Sequence, residues 1–463
     1  MKTFFIQCIL LVVLLQGCGD KLNLKPDSRI VLPKSYKDME RILDNTDYLN
    51  FSPDLPQISA DEYFIPSKVH WESLRSVTAR NASIWAVDTY SGDRAINDWS
   101  FPYKAIYFAN NVLRLLENND HVTETELREL RGWALFVRAY NFYSLVSTFS
   151  KAYDPATSAD DLGIPLKLSS DIDEIVPRSS VAKSYEQIIA DALESSELLP
   201  KHIVEGKKNR PSGVAAYALL ARVYLSMRDY EKADYYADKA LSIYDKLIDF
   251  NTLNKTSSTP FTYNAEETIY YSRIINLYSE LTSARPVLTY GIDPGLLQLY
   301  DPSDLRLQIY FSKNTEGNFN IKRINTLSTF PFAGLATDEL YLIRAECLAR
   351  GGELGQAMYY YNRLLLTRWD PNATGVYVPY IDKSATTVEE AVDMILTERR
   401  RALVFRGIRW TDLKRLNLED RKIRLSRQID EEVYYLEPNS SRYVLPIPEE
   451  EISKSGIQQN IRE

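Results

Sequence analysis

The residues that could carry out metal, nucleophilic or acid–base chemistry are scattered along this sequence rather than grouped into a motif. The three histidines, His70, His121 and His202, are far apart, and Cys347 has no second ligand at the spacing that zinc sites use. The sequence contains no phosphate-binding loop and no G-x-S-x-G nucleophile elbow. We therefore expect no metal, no cofactor and no enzymatic activity.

Paired carboxylates are the one catalytic device that the sequence leaves open. Asp61-Glu62 and Asp160-Asp161 are adjacent acids in loop-like stretches. A glycosidase needs two carboxylates held about 5–10 Å apart. Because nothing in the sequence selects one pair, hydrolysis remains an alternative to reversible binding.

Two short stretches combine aromatic rings with polar side chains and are suited to binding a sugar. A ring face covers the apolar C–H groups of a sugar, while Asn, Asp and Arg side chains satisfy its hydroxyl groups. The competing interpretation is that these rings pack in the core, where tryptophan is usually found. The candidate ligand-binding residues are Trp85 with Arg80, Asn81 and Asp88, and Tyr278 with Arg285 and Tyr290.

A further carboxylate, Glu398, is predicted to lie on the buried face of a helix. Thr387 and Glu390 have the spacing of a capping box, which predicts a helix start. Glu398 falls within the apolar stripe of that helix, and a buried carboxylate must be paired or neutralised. Because three arginines follow it directly, we expect a structural ion pair in preference to a catalytic acid. Gly407 is expected to end the helix in a left-handed cap, before a short helix Trp410–Leu416.

The helices that must position these residues include a repeated hairpin. Six residues of one hairpin recur 124 residues later at the same internal spacings. The alternation of small and large positions is typical of a tetratricopeptide repeat, in which small residues let two helices approach closely. The two sets are Tyr217, Ala221, Tyr224, Ala233, Ala237 and Ala240, and Tyr341, Ala345, Leu348, Ala357, Tyr361 and Leu364.

The remaining sequence divides into helical and irregular parts. We predict a mainly α fold, with a tetratricopeptide-like helical-hairpin scaffold from about residues 99–249 and 336–416. Residues 45–98 and 250–335 lack a sustained period and are rich in turn-forming residues, which predicts an irregular, loop-rich ligand-binding layer. The C-terminal tail, residues 433–463, is expected to be extended.

Composition separates this chain from nucleic-acid-binding proteins. It has 463 residues and a net charge of −8, which disfavours a nucleic-acid partner. Hydrophobic residues make up 45% and charged residues 25%, as in ordinary globular proteins. The 32 tyrosines offer flat apolar faces with polar tips, which suits wet binding surfaces as well as helix packing.

The N-terminus has the pattern of a targeting segment. Lys2 precedes an apolar stretch, Phe4–Leu15, which is too short to span a bilayer. The run LLQGC, residues 14–18, resembles a lipoprotein signal-peptidase site. The resemblance implies that residues 1–17 are removed and that Cys18 carries the lipid, whereas the alternative is an ordinary secretory peptide cleaved nearby. Because Cys8 then leaves with the peptide, Cys347 has no partner for an intramolecular disulfide.

Three long runs resemble one known family. They are ERRRALVFRGIRWTDLKRL at Glu398–Leu416, DELYLIRAECLARGG at Asp338–Gly352 and RYVLPIPEEEISKSGIQQN at Arg442–Asn460. In this order along the chain they resemble the SusD/RagB family of outer-membrane nutrient-binding lipoproteins. The resemblance implies one SusD-like domain over residues 18–463.

The resemblance also implies a cellular role. Members of this family are tethered to the outer membrane by their N-terminal lipid and cap a SusC-like TonB-dependent transporter, to which they hand glycans or, in some members, peptides. Glu398, Arg409 and Asp412 match the family signature, whose implied role is structural. We therefore expect a cell-surface lipoprotein that captures oligosaccharides. The alternatives are peptide uptake and, as a third possibility, a surface hydrolase.

Overall fold

α-Helices dominate the fold, as the sequence predicts. The structure is a computed structural model, and it describes residues 33–117, 119–275, 277–322 and 330–463. The predicted signal peptide and Cys18 lie outside these ranges. The helices are α1 (Tyr36–Leu43), α2 (Thr46–Leu49), α3 (Leu55–Ser59), α4 (Lys68–Glu72), α5 (Val77–Ser83), α6 (Asn97–Leu116), α7 (Glu124–Phe149), α8 (Val181–Leu198), α9 (Gly213–Met227), α10 (Tyr230–Ile243), α11 (Ser279–Thr282), α12 (Pro294–Leu297), α13 (Arg306–Ile309), α14 (Thr337–Arg350), α15 (Leu354–Leu366), α16 (Val388–Ala402), α17 (Arg409–Asn417) and α18 (Glu449–Ser455).

The two predicted tetratricopeptide-like hairpins are confirmed as α9–α10 and α14–α15. The alanines at the small positions, including Ala221, Ala233 and Ala345, are fully buried, because they lie where two helices approach closely. Helix α10 also packs against α14, so the second hairpin stacks on the first. Helices α6–α10 and α14–α17 together form what we call the scaffold.

Short strands join the two irregular segments of the chain. Strand β1 pairs in parallel with β6, and β2 pairs antiparallel with β7. The described residues of the ranges 45–98 and 250–335 therefore form one connected layer, which we call the loop layer. The strands are β1 (Phe51–Ser52), β2 (Tyr63–Phe64), β3 (Leu162–Pro165), β4 (Arg178–Ser180), β5 (Thr268–Tyr270), β6 (Arg273–Ile274), β7 (Gly291–Ile292), β8 (Phe311–Lys313), β9 (Phe319–Ile321), β10 (Leu335–Ala336), β11 (Leu425–Ile429) and β12 (Glu432–Leu436).

The buried carboxylate Glu398 connects the scaffold to the loop layer. Helix α16 begins after Thr387, whose hydroxyl accepts a hydrogen bond from the Glu390 N–H at 3.1 Å. Glu398 is fully buried, as predicted, and is paired. One partner is Arg401, at 2.5 Å on the same helix, and the other is Arg306 of the loop layer.

Helix α16 ends earlier than the sequence predicts. It ends at Ala402 rather than at Gly407, although Gly407 does adopt a left-handed conformation. Phe405 has a positive φ of 57° and is 1% exposed. Its ring stacks on Tyr290 at 5.4 Å, and its N–H donates to the Glu62 carboxylate at 3.1 Å. The helix therefore ends before Gly407, and the turn that follows it places the Phe405 ring in the core of the loop layer.

The prediction of an extended C-terminal tail, residues 433–463, is wrong in part. Strands β11 and β12 form an antiparallel hairpin, and α18 is a helix. Inward-facing side chains alternate along Leu425–Ile429, which explains the hairpin. Three glutamates after Pro448 supply the acidic first turn that favours a helix start.

Candidate ligand-binding surface

The three aromatic rings that were predicted to stack on a ligand lie in the core. Trp85 and Tyr278 are each 2% exposed, and Tyr290 is 0% exposed. The Trp85 indole N–H donates to the Ser59 carbonyl at 2.8 Å, and the Tyr290 hydroxyl donates to the Ser283 carbonyl at 2.8 Å. Because almost no part of these side chains is accessible, the prediction that they form a stacking platform is wrong.

Trp85 turns inward because of the way helix α5 ends. It has a φ of +56°, in the left-handed region that favours glycine. Its N–H donates to the Ala82 carbonyl at 3.2 Å and the next N–H, of Ala86, donates to the Asn81 carbonyl at 2.9 Å, as in a Schellman cap. The ring then packs in a cluster with Trp410, so burial of the indole compensates for the unfavourable backbone conformation.

The polar residues predicted beside these rings lie at the surface or form hydrogen bonds that hold the surface turns in place. The Asn81 amide donates to the Asp88 carbonyl at 3.0 Å, and the Asp88 carboxylate accepts from the Ser91 N–H at 2.8 Å, so both hold a turn after α5. The Arg80 guanidinium donates to the Leu74 carbonyl. Asp88 is exposed, and Asn81 and Asp88 remain predicted ligand contacts.

Arg285 is exposed in the loop that follows α11. The hydrogen bond from Tyr290 to Ser283 closes this loop, so a buried ring holds the base of a segment that carries an accessible guanidinium. The Thr289 hydroxyl donates to the Glu280 carbonyl, which connects the same loop to α11. The structure thus places Arg285, but not its two predicted aromatic neighbours, where a ligand could reach it.

Trp71 is an aromatic residue of the loop layer that the sequence analysis did not single out as a ligand contact. It lies in α4 and is half-buried. Its indole N–H is 3.2 Å from both the Arg80 carbonyl and the Ser83 hydroxyl. These contacts hold one edge of the ring while part of the side chain stays accessible, and a ring held in one orientation is preorganised for stacking.

Charged side chains surround helix α4. The Arg75 guanidinium, whose side chain is 84% exposed, donates to Glu280 at 3.1 Å. The His70 Nε2 atom lies 3.4 Å from the Glu316 carboxylate, and its Nδ1 atom is 2.8 Å from the Ser67 hydroxyl. We call α4, Arg75, Glu280 and Glu316 together the Trp71 surface, since they combine an aromatic ring with hydrogen-bond donors and acceptors on α4 and beside it.

The adjacent acids Asp61 and Glu62, which the sequence left open as a catalytic pair, are both engaged in structural contacts. Burial would raise the pKa of Asp61, but Arg409, 2.8 Å away, outweighs it and holds that pKa well below its usual range. Burial raises the pKa of Glu62 to about 7, although a hydrogen bond from Gln57 at 2.7 Å opposes the shift. Opposite shifts can mark an acid–base pair, but Glu62 is 1% exposed and has no access to a substrate. Within the described ranges, no three His, Cys, Asp or Glu side chains are placed to hold a metal ion.

The fold is a tetratricopeptide-like scaffold that carries an irregular layer with a polar, aromatic surface. Two family models identify the family to which a chain with this fold belongs. A model described as "Starch-binding associating with outer membrane" matches residues 20–225. A second, described as "SusD family", matches residues 335–462. Together the two segments cover more than half of the chain. This chain belongs to the SusD/RagB family, so the resemblance seen in the sequence is confirmed.

Individual relatives agree with this assignment. "SusD-like protein P2" from Formosa agariphila is 26% identical over 376 residues, covering 69% of this chain and 71% of that protein. A SusD-like carbohydrate binding protein from Bacteroides vulgatus has a TM-score of 0.68 at 19% identity, covering 92% of this chain and 97% of that chain. A SusD superfamily protein from Bacteroides thetaiotaomicron has a TM-score of 0.70 at 21% identity, covering 92% and 100%. These two structures share the fold. None of the helices in the described part of this chain is long and apolar enough to cross a membrane.

Proposed function

We propose that this protein captures oligosaccharides reversibly at the Trp71 surface, without cleaving them. The observation that carries the proposal is a half-buried Trp71 ring, held by hydrogen bonds, with charged side chains nearby, in a chain matched by a starch-binding family model. The carbohydrate-binding description of the Bacteroides vulgatus protein, which shares the fold, supports the same ligand class.

The chemistry of the Trp71 surface fits a sugar ring. The indole face covers apolar C–H groups, while Arg75, His70 and Glu280 supply donors and acceptors for hydroxyl groups. Arg285 adds a further exposed guanidinium in the loop that Thr289 connects to Glu280. Because the surface is wet and partly open, we expect affinities on the order of micromolar.

Calorimetry against a panel of oligosaccharides tests this proposal. Trp71→Ala should weaken binding by about tenfold or more, which corresponds to about 1.4 kcal/mol, with little change in melting temperature. Trp369→Ala is the matched control, because Trp369 is also half-buried and also donates its indole N–H to a carbonyl, that of Val378 at 2.8 Å, but lies outside the loop layer. Equal loss of binding in both variants would reject the Trp71 surface.

The same titrations separate binding from turnover and sugars from peptides. Product analysis of the incubated samples should show intact oligosaccharides. Cleavage would assign the protein to the hydrolases. Binding of peptides, with no response to any glycan, would transfer the function to peptide uptake and remove the proposed ligand class.

We further propose that the protein is a lipid-anchored outer-membrane component that delivers its ligand to a SusC-like TonB-dependent transporter. The run LLQGC at residues 14–18 and the outer-membrane description of the family model support this location. Cys18→Ala should release the protein from the membrane fraction and abolish incorporation of a labelled fatty acid. Affinity purification of the wild-type protein from detergent-solubilised membranes should recover the transporter, and its absence would reject the delivery step.

A further inference from the structure

A small cavity lies between the scaffold and the loop layer, separate from the Trp71 surface. Its volume is about 50 Å³. It is lined by α7, by α9, by the segment from α16 to α17 and by residues of the loop layer such as Ser52 and Pro53. A space of this size holds a few water-sized spheres and is too small for a sugar ring.

Four arginines line this cavity. Arg222, Arg399, Arg406 and Arg415 are each more than nine-tenths buried, with exposures of 7%, 3%, 8% and 1%. Each guanidinium carries five N–H donors and no acceptor, so buried arginines require many acceptors nearby. The cavity can bind an anion only if the neighbouring carboxylates leave some of these N–H donors without an acceptor.

Two of the four guanidinium groups are well supplied with acceptors. Arg222 donates to both oxygens of Glu339, at 2.8 and 2.6 Å, and to the Gly334 carbonyl at 2.6 Å. Arg415 donates to both oxygens of Glu346, at 2.6 and 2.8 Å, and to Asp412 at 2.8 Å. These bidentate pairs are complete without any further ligand.

The other two guanidinium groups, those of Arg399 and Arg406, lack described acceptors for some of their N–H donors. Arg399 donates through Nε to Asp412 at 2.8 Å, but its Nη1 atom meets no acceptor in the described part of the chain. Arg406 donates through Nη1 to Asp338 at 3.3 Å and lies over the Phe332 ring, while its Nε and Nη2 atoms likewise meet no acceptor among the described residues. Leaving charged donors unsatisfied in a buried site is costly.

From these contacts we propose that the cavity is a binding site for a small monovalent anion, with the chemistry of chloride. An anion accepts charge-assisted hydrogen bonds from two guanidinium groups at once, which are stronger there than bonds to a neutral acceptor. Asp412, the carboxylate that lines the cavity, does not fill this role: its oxygens accept from the Nε atoms of Arg399 and Arg415 but not from Arg399 Nη1. This site is independent of the proposed glycan function.

The charge balance sets the expected affinity. The four lining guanidinium groups are matched by the four carboxylates Asp338, Glu339, Glu346 and Asp412. The anion is therefore held by local donor geometry rather than by excess positive charge, and the dissociation constant should be on the order of 10 mM. The ion should then act as a stabilising ligand of the folded state.

Two measurements on the mature chain test the site. Raising sodium chloride from 10 to 300 mM should raise the melting temperature by about 1–2 °C more than sodium gluconate of equal ionic strength, because gluconate is too large for the cavity. Crystals soaked in sodium bromide should show an anomalous peak beside Arg399 Nη1. A cavity without a bromide peak, or equal melting temperatures in the two salts, would overturn the proposal.

A matched pair of substitutions at neighbouring residues sharpens the test. Arg399→Lys keeps a positive charge near Asp412 but removes the Nη1 donor, so the chloride-specific rise in melting temperature should disappear. Arg400→Lys is the control, since Arg400 pairs with Asp61 at 3.2 Å and does not line the cavity, and it should keep the rise. A rise retained in Arg399→Lys would overturn the assignment. If that variant does not fold, the bromide experiment on the wild-type protein decides.

Discussion

Two groups of buried carboxylates, one in the scaffold and one in the loop layer, are held in opposite ways. In the scaffold, Glu346 and Asp412 share Arg415, at 2.6 and 2.8 Å. Burial would raise the pKa of each acid, but the arginines outweigh it and hold both pKa values below their usual range. These carboxylates are therefore charged, paired and stabilising at neutral pH.

In the described part of the loop layer, including its boundary with α6 at Asp98, three carboxylates are buried without an arginine in direct contact. Burial raises the pKa of Glu62 to about 7 and that of Asp98 to about 6, and it raises the pKa of Asp54 well above its usual value. Asp98 accepts from the Asp54 and Leu55 N–H groups at 2.6 and 2.8 Å, which partly offsets the cost. Glu62, Asp98 and Asp54 are thus held by hydrogen bonds and protons, whereas Glu346 and Asp412 are held by arginines. A rise in pH should therefore destabilise the loop layer, where these three acids lose their protons. A fall in pH should destabilise the scaffold, where the paired acids gain protons.

The largest effect should come from breaking the ion pair that joins the two regions. Glu398→Ala removes the carboxylate of the scaffold that pairs with the fully buried Arg306 of the loop layer. Arg306 would keep its bonds to Asp304, but its donors to Glu398 would lose their buried acceptor, which should lower the free energy of unfolding by about 3–5 kcal/mol. Urea denaturation of the mature protein measures this loss.

The matched control for Glu398 is an exposed pair on the same helix. Asp393 pairs with Arg421, but its side chain is 56% exposed, so Asp393→Ala should have a small effect because exposed ion pairs contribute little. A Glu398→Ala variant that is as stable as wild type but loses ligand binding would show that this carboxylate serves binding rather than the junction.

The next largest effect concerns pH. A carboxyl group whose pKa is raised in the folded state contributes stability that is fully present below its unfolded pKa and is lost as pH rises through its folded pKa. For Glu62 and Asp98 this window runs from about pH 4 to about pH 7. From pH 5 to pH 8 the free energy of unfolding should therefore fall by about 4 kcal/mol, at 1.4 kcal/mol per unit of pKa difference for the two groups together.

Glu62→Gln should flatten this pH profile. The glutamine carbonyl can still accept from the Phe405 N–H, as the Glu62 carboxylate does at 3.1 Å, but the side chain no longer titrates. Urea denaturation at pH 5, 6, 7 and 8 measures both proteins. Below about pH 4 both should lose stability, because Glu346 and Asp412 then gain protons and their ion pairs weaken. A wild-type profile that rises between pH 5 and pH 8 would contradict the opposition between the two regions.

A smaller effect should follow from Asp54→Asn. The Asp54 carboxylate accepts from the Tyr278 N–H at 3.1 Å, and an asparagine carbonyl can keep this bond. The substitution removes one of two neighbouring buried negative charges, so it should raise the free energy of unfolding at pH 8 by about 1–2 kcal/mol. At pH 5 the gain should vanish. Destabilisation at pH 8 that a metal chelator also produces in the wild type would instead indicate a bound cation between Asp54 and Asp98.

The scaffold was predictable from the sequence because its signals are local. The spacing of small and large residues in α9–α10 and α14–α15 follows directly from helix-to-helix contact, and the long helices carry their own periodicity. That Glu398 would be buried and paired was also predictable from its place in an apolar stripe. Its partner Arg306 was not, because it lies 92 residues away and reaches the carboxylate only through the fold.

The candidate site was less predictable, since burial of a tryptophan in the loop layer is decided by tertiary contacts. Trp85 occupies a left-handed cap position where glycine is expected, and only its packing with Trp410 makes this conformation acceptable. Trp71 lies in a short helix, and its indole is held by hydrogen bonds to Arg80 and Ser83 that leave part of the side chain accessible. No sequence pattern predicts these hydrogen bonds. Both tryptophans have polar neighbours in the sequence, so the sequence could not show that Trp85 is buried and that Trp71 is partly accessible.

The smallest effect should come from a hydroxyl group in the loop layer. The Tyr278 hydroxyl is buried and donates to no described residue, and the neighbouring Thr78 hydroxyl donates to Asp93 at 2.7 Å instead. Tyr278→Phe should therefore change the free energy of unfolding by less than about 0.5 kcal/mol, because it removes a polar group without breaking a strong bond. Tyr290→Phe is the matched control, since it loses the bond to Ser283 and should cost about 1 kcal/mol. A loss above about 1.5 kcal/mol for Tyr278→Phe would mean that the Tyr278 hydroxyl makes a stabilising hydrogen bond in the folded protein.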